Sequence, residues 1–148
     1  MKYEERKQDL FEIDDSYYLA HCISADFAMG KGIAVEFAKR GIKNKLQVLY
    51  PNYVKRYDVF DRNGDCLVVD NVLNLVTKER YFEKPTYKSL ENALDVMRIQ
   101  CRWFEITKIA MPKIGCGLDG LDWNKVSDMI QDVFKDTDIE IVVCYLKD

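Results

Sequence analysis

The chain has 148 residues, of which 48% are apolar, and 22 Lys+Arg stand against 25 Asp+Glu for a net charge of −3. This length and composition fit one domain over 1–148 with enough apolar side chain to build a core. The charge balance excludes a global basic field that gathers nucleic acid or polyphosphate, so a bound polyanion has to be held by local donors or a few placed cations. The opening Met-Lys-Tyr-Glu-Glu-Arg is charged where a signal peptide needs an apolar stretch, and no 18-residue apolar run occurs. The expectation is a soluble cytoplasmic protein with no membrane partner, monomeric by default. Five widely spaced cysteines without a C-x-x-C pair predict neither a disulfide framework nor a zinc site, and His21 is the only histidine. Neither a metal nor a cofactor is expected, so chemistry falls to carboxylates, lysines or cysteines.

In chain order, residues 17–23 read as a strand, followed by Gly30 and Gly32 and a short helix carrying Ile33, Ala34, Phe37 and Ala38. Gly41 is placed to end that helix, with Lys39 and Arg40 in its last turn. Residues 44–57 read as short helical turns broken at Pro51, and Asn63-Gly64 and Asp70-Asn71 read as turns. Apolar runs at 66–69 and 72–77 predict two more strands. Pro85 is expected in the first turn of a long helix whose Tyr87, Leu90, Leu94, Met97, Cys101 and Phe104 recur at three- and four-residue spacing. A strand at 106–111 follows, then Gly115, Gly117 and Gly120, then a helix with Asp122 as N-cap and Val126, Met129, Ile130, Val133 and Phe134 inward, and a last strand at 139–146. Trp103 and Trp123, near helix ends, are expected to pack.

Several of these strands are continuously apolar rather than alternating, which suits a sheet covered on both faces. The order of elements predicts a three-layer α/β/α sandwich, with ligands beyond the carboxyl ends of its strands.

Five of the seven glycines fall in two clusters, Gly30/Gly32 and Gly115/Gly117/Gly120, each between a strand and a helix. Such loops let backbone N–H groups approach a diphosphate closely, or they are two tight turns with no ligand. Neither matches G-x-G-x-x-G or a Walker A sequence.

Three stretches, Gln8-Asp9-Leu10-Phe11, Leu19-Ala20-His21-Cys22-Ile23-Ser24 and Met29-Gly30-Lys31-Gly32-Ile33-Ala34, resemble the macrodomains, in the branch of the terminal ADP-ribose protein glycohydrolase. The resemblance continues through Lys84-Pro85-Thr86-Tyr87 and Ile114-Gly115-Cys116-Gly117-Leu118-Asp119, and runs to Leu146. It implies a mixed sheet with an ADP-ribose pocket at its end. In that pocket Asp9 accepts from the adenine amino group and Leu10 offers backbone contact. Gly30, Gly32 and Ile33 face the diphosphate from one side, with Ile114, Gly115, Cys116, Gly117 and Leu118 opposite. Ser24 lies near the distal ribose, and His21 is included among the substrate-binding positions. The chain departs from the family where Gln8 replaces a glycine, in the turn register of 58–77, and in the Lys147-Asp148 ending.

Lys78 and Asp119 are the catalytic candidates. The resemblance implies that Lys78 attacks the anomeric carbon of the distal ribose while Asp119 moves protons, a division that suits an amine and a carboxylate. By residue type alone, Lys78 is a solvated charge at a strand end, Asp119 is loop polarity, His21 is a core histidine and Cys116 is a small loop-shaping residue. The implied function is an ADP-ribosyl hydrolase acting on modified acidic protein side chains or DNA bases. The alternatives are a non-catalytic ADP-ribose reader, a phosphatase of ADP-ribose 1″-phosphate and an acyl-ADP-ribose deacylase. Lys31, Lys43, Lys45, Arg80 and Lys84 are candidates for a cationic rim, or a scattered surface.

Overall fold

The computed structural model describes residues 1–59 and 63–147. The part of the 58–77 register that falls on 60–62, and the final residue of the Lys147-Asp148 ending, lie outside them. Six strands form one mixed sheet in the order β1-β6-β5-β2-β4-β3. They are β1 (Lys2–Lys7), β2 (Tyr18–Ser24), β3 (Asp65–Val69), β4 (Val72–Lys78), β5 (Lys108–Met111) and β6 (Glu140–Tyr145). Only the β3/β4 pair is antiparallel, so β1, β6, β5, β2 and β4 all end at the same edge. Asp9, Ser24, Lys78 and the segment after Met111 meet at that edge because their strands share a direction.

Both faces are covered, which explains the unbroken apolar runs. Along β6, Ile141 and Val143 pack under α4 (Tyr87–Trp103) and α5 (Trp123–Phe134). Val142 and Cys144 point to the opposite face, which is covered by α1 (Ala34–Lys39), α2 (Ile42–Leu49) and α3 (Tyr53–Val59). In α4, Leu90, Ala93, Leu94, Met97 and Cys101 are buried, each large aliphatic contributing about 1.5–3 kcal/mol of transfer free energy. Among the described residues, no helix is long and apolar enough to cross a membrane.

Three expectations, for Pro85, Trp103 and Phe104, require correction, and one strand was not expected. Lys2–Lys7 is a strand that composition hid, because a charged segment at the sheet edge needs only backbone pairing to β6, and its charges discourage a further strand. Pro85 lies just before the helix, since Thr86 is the N-cap and forms a reciprocal pair of hydrogen bonds with Ser89. Phe104 and Trp103 do not pack inward: α4 ends at Trp103, leaving them 60% and 80% exposed. Trp123 packs as expected, half-buried against the apolar cluster under α4 and α5, with its indole N–H turned to Glu5.

Asn63-Gly64 is a connection into β3 rather than a hairpin turn, and it runs tightly beneath α4. Gly64 has φ +120°, and a Cβ there would lie 2.2 Å from the Ser89 carbonyl oxygen and 2.8 Å from the Ala93 nitrogen. Backbone atoms of a packed helix cannot yield that much space. Gly64→Ala is expected to destabilise the fold by about 3 kcal/mol, near the upper end for overpacking, read as a shift of the urea unfolding midpoint at unchanged slope.

Candidate active site at the carboxyl edge of the sheet

The main cavity, about 720 Å³, opens where β2, β4 and β5 end. Its size falls within the range for a small-molecule site. One wall comes from the β2–α1 loop, with Ser24, Gly30, Gly32 and Ile33, and another from the β5–α5 loop, with Ile114, Gly115, Cys116 and Leu118. Gly30 and Gly32 of one cluster and Gly115 of the other, far apart in sequence, therefore face one space.

Lys78 ends β4 and Asp119 closes a 3-10 turn after β5, and their side chains meet across the cavity wall, with Nζ 2.9 Å from Oδ1. They are only 16% and 19% exposed, so this ion pair is largely withdrawn from water. Ser24 is the register partner of Lys78, placed there by a bulge between Ile23 and Ser24.

The loop after β2 is held by Asp26, a residue that the sequence did not single out. Its carboxylate accepts from Ser24 Oγ at 2.5 Å, from the Ala28 N–H at 3.2 Å and from the Tyr81 N–H at 3.0 Å, tying this loop to the segment that leaves Lys78. An aspartate two residues beyond a strand end is an ordinary signal for such side-chain-to-backbone bonds. Phe27 and Met29 adopt positive φ here, at 56° and 49°, conformations that cost a non-glycine residue roughly 1–2 kcal/mol each. Burial of both side chains, and stacking of Phe27 on Tyr53, offset that cost.

Four expected contact positions stand apart from this cavity. Asp9 and Leu10 follow β1, two strands beyond β5. The Asp9 carboxylate accepts from the Phe11 N–H, and Leu10 lines a separate hollow of about 290 Å³ beside Phe11 and Arg40. Gly117 is exposed and does not line the main cavity, although its φ of +72° shapes the loop that does. His21 is corrected more firmly. It is fully buried, stacks on Phe37 at 3.9 Å, and its Nε2 lies 2.6 Å from Asn74 Oδ1. It is a core residue without access to a ligand.

Cys22 and Cys116 line the cavity, but burial pushes both thiols up, Cys22 to about 12, so neither supplies a thiolate. Of the candidate rim lysines, Lys31 and Lys84 line the cavity. Lys45 pairs with Asp70 at the opposite edge, and Lys43 donates to the Ala28 carbonyl. Lys113 joins the lining, as do Tyr81 and Phe82 from the β4–α4 loop.

No family model matches the chain. It is 41% identical over 143 residues to the human ADP-ribose glycohydrolase OARD1, a match spanning 93% of this chain and 87% of that protein. The chain is a macrodomain of the OARD1 branch. This macrodomain is also 26% identical over 145 residues to a Mycobacterium tuberculosis DNA ADP-ribosyl glycohydrolase, spanning 87% of the chain but 38% of that longer protein. In fold it superposes on the macrodomain of Thermus aquaticus DarG with a TM-score of 0.76 and 24% identity, covering 97% of each chain.

Burial of His21 has a consequence for stability. Desolvation lowers its pKa from 6.5 to about 4, so the folded macrodomain resists the proton that the unfolded chain accepts. The stability tied to the neutral ring is complete above pH 6.5 and is lost as pH falls towards 4. Between pH 7 and pH 5 the loss is about 2 kcal/mol, because each pH step below the unfolded-state value costs about 1.4 kcal/mol for a single proton. Denaturant unfolding at the two pH values checks this, with His21→Gln expected to show a smaller difference than wild type.

Proposed function

We propose that this macrodomain is an ADP-ribose glycohydrolase that cleaves the bond between the distal ribose and its macromolecular attachment, with Lys78 as nucleophile and Asp119 as proton carrier. The observation that carries the reading is the Lys78–Asp119 pair, 2.9 Å apart and mostly withdrawn from water in the wall of a ligand-sized cavity. A pair taken out of water loses solvation that its mutual attraction does not fully return. A protein that only binds has no need to hold one there. OARD1 carries the name of the same activity.

Ion-paired Lys78 is an ammonium, which has no lone pair. Transfer of its proton to Asp119 over the existing hydrogen bond frees the amine to attack the anomeric carbon from the side opposite the attached group. The bond from that carbon to the attachment breaks as the bond to nitrogen forms, and an acyl attachment departs as a stable carboxylate. The lysyl-linked sugar is then resolved by water. Asp119 first releases to solvent the proton it took from Lys78. It then takes a proton from the attacking water as the protonated lysyl nitrogen departs as the free amine, and passes that proton to Lys78 to restore the ion pair. The glycine loops supply backbone donors towards the diphosphate, and Asp9 and Leu10 take the adenine end in this reading. The Mycobacterium tuberculosis relative, named for DNA, supports DNA as a second attachment in this reading.

Nucleophile and proton carrier fail differently. Lys78→Ala is expected to keep ADP-ribose binding, seen as a thermal shift, while losing release and forming no covalent species. Asp119→Ala is expected to accumulate an adduct one ADP-ribose heavier than the protein, because solvent can take the amine proton but resolution is slowed. Intact-mass spectrometry after incubation with an ADP-ribosylated acidic peptide reads both. Full turnover by Lys78→Ala removes lysine from the mechanism, and a wild-type protein that binds ADP-ribose but releases it from no substrate is a reader.

A further inference from the structure

Ser24 is 4% exposed yet lines the active-site cavity. It ends β2 as the register partner of Lys78, and the ladder runs one bond further, from the Ala25 N–H to the Lys78 carbonyl at 2.9 Å. A serine hydroxyl has one proton to give and two lone pairs to offer. The Ser24 proton is already given: Oγ donates to Asp26 Oδ1 at 2.5 Å, and among the described residues nothing donates to Oγ in return. What Ser24 offers the cavity is therefore a hydrogen-bond acceptor.

Asp26 is fixed in that task by its neighbours. Its Oδ1 also accepts from the Ala28 N–H at 3.2 Å, in its own loop, and its Oδ2 accepts from the Tyr81 N–H at 3.0 Å, three residues beyond Lys78 in another. The Ser24 carbonyl accepts from the Phe27 N–H at 3.1 Å, closing the turn that brings the two side chains together. Backbone donors thus aim the carboxylate, and the carboxylate aims the hydroxyl. Asp26 is not part of the cavity wall, so its effect on a ligand passes through the groups it holds.

We propose that Asp26 is a positioning residue that keeps Ser24 an acceptor, so that the site selects a sugar hydroxyl donor beside the anomeric carbon. The inference rests on the glycohydrolase reading, which puts the anomeric carbon at Lys78 and hence the adjoining sugar hydroxyls at Ser24. A freely rotating serine would donate to any oxygen that came near, a ring oxygen, an acyl oxygen or a water included. With its proton held, Ser24 is met favourably only by a donor, and a rotor that binding would have to immobilise is immobilised beforehand. A sugar held by its own hydroxyl at a fixed point beside β4 also keeps the approach of Lys78 in line.

Calorimetry with ADP-ribose and with ADP, which lacks the distal ribose, separates this role from loop integrity. Ser24→Ala leaves both backbone bonds to Asp26 in place and removes one neutral hydrogen bond to the sugar, which is expected to weaken ADP-ribose by about three- to tenfold. Asp26→Ala frees the Ser24 proton and is expected to weaken ADP-ribose by about threefold or more. Both variants are expected to keep ADP within about twofold, since no bond to the distal ribose is at stake there. Ser24→Ala/Asp26→Ala is expected to bind no more weakly than Ser24→Ala alone, because Asp26 acts through Ser24. Asp26→Asn retains an oxygen for Ser24 and Ala28 and is expected to restore most of the affinity. Unchanged ADP-ribose affinity in Ser24→Ala, equal loss of ADP and ADP-ribose in Asp26→Ala, additive losses in the double variant, or an Asp26→Ala chain that does not fold overturns the proposal. Turnover by the wild-type protein is measured separately. Selective losses without turnover sink the glycohydrolase reading and leave the positioning role, whereas full turnover with unselective losses does the reverse.

Discussion

The ion pair between Lys78 and Asp119 is the feature around which the carboxyl edge is arranged. It joins the end of β4 to the loop that follows β5, on the far side of β2, and spans 41 residues of sequence. Holding two charges this far from water is unfavourable unless each remains close to the other. The pair therefore requires a stiff β4 on one side and a tightly wound 3-10 turn on the other. Both are present: β4 is buried from Val72 to Thr77, and the turn at Gly117–Asp119 ends at Gly120, which has φ +80°.

The surrounding loops keep that geometry by side-chain-to-backbone bonds rather than by apolar packing alone. Asp26 links the β2–α1 loop to the β4–α4 loop, and Lys84 links the β4–α4 loop to the β5–α5 loop. The three loops around the cavity are consequently connected in series. The bonds that tie these loops together are made before substrate arrives, so binding need not form them, and loop ordering is one of the costs that reduce affinity.

Much of the architecture was legible because its signals are local. Continuous apolar runs marked β2, β4 and β6 as covered on both faces, and the spacing of Leu90, Leu94, Met97 and Cys101 marked the inward stripe of α4. β1 was illegible for the complementary reason: Lys2–Lys7 carries little apolar signal, and its strand state is created by the backbone of β6. Pro85 shows how close local reasoning comes, since it preceded the helix by one N-cap residue whose side-chain bonds, not proline geometry, set the start.

At the site, residue types and spacing singled out the two glycine clusters, and the family resemblance singled out Lys78 and Asp119. Alone, an amine at a strand end and a loop carboxylate are two solvated charges. The folded sheet makes them a pair, because β4 and β5, with β2 between them, run parallel and end at the same edge. It likewise assigns His21 to the core, through Phe37 and Asn74, and sets Tyr81 and Phe82 at the cavity mouth. Which segments extend, coil and turn follows from the order of residues, since propensity and hydrophobic period act over a few positions. Which side chains share a space, and which of them lose water, follows from strand order and direction, properties of the whole sheet that no local window contains.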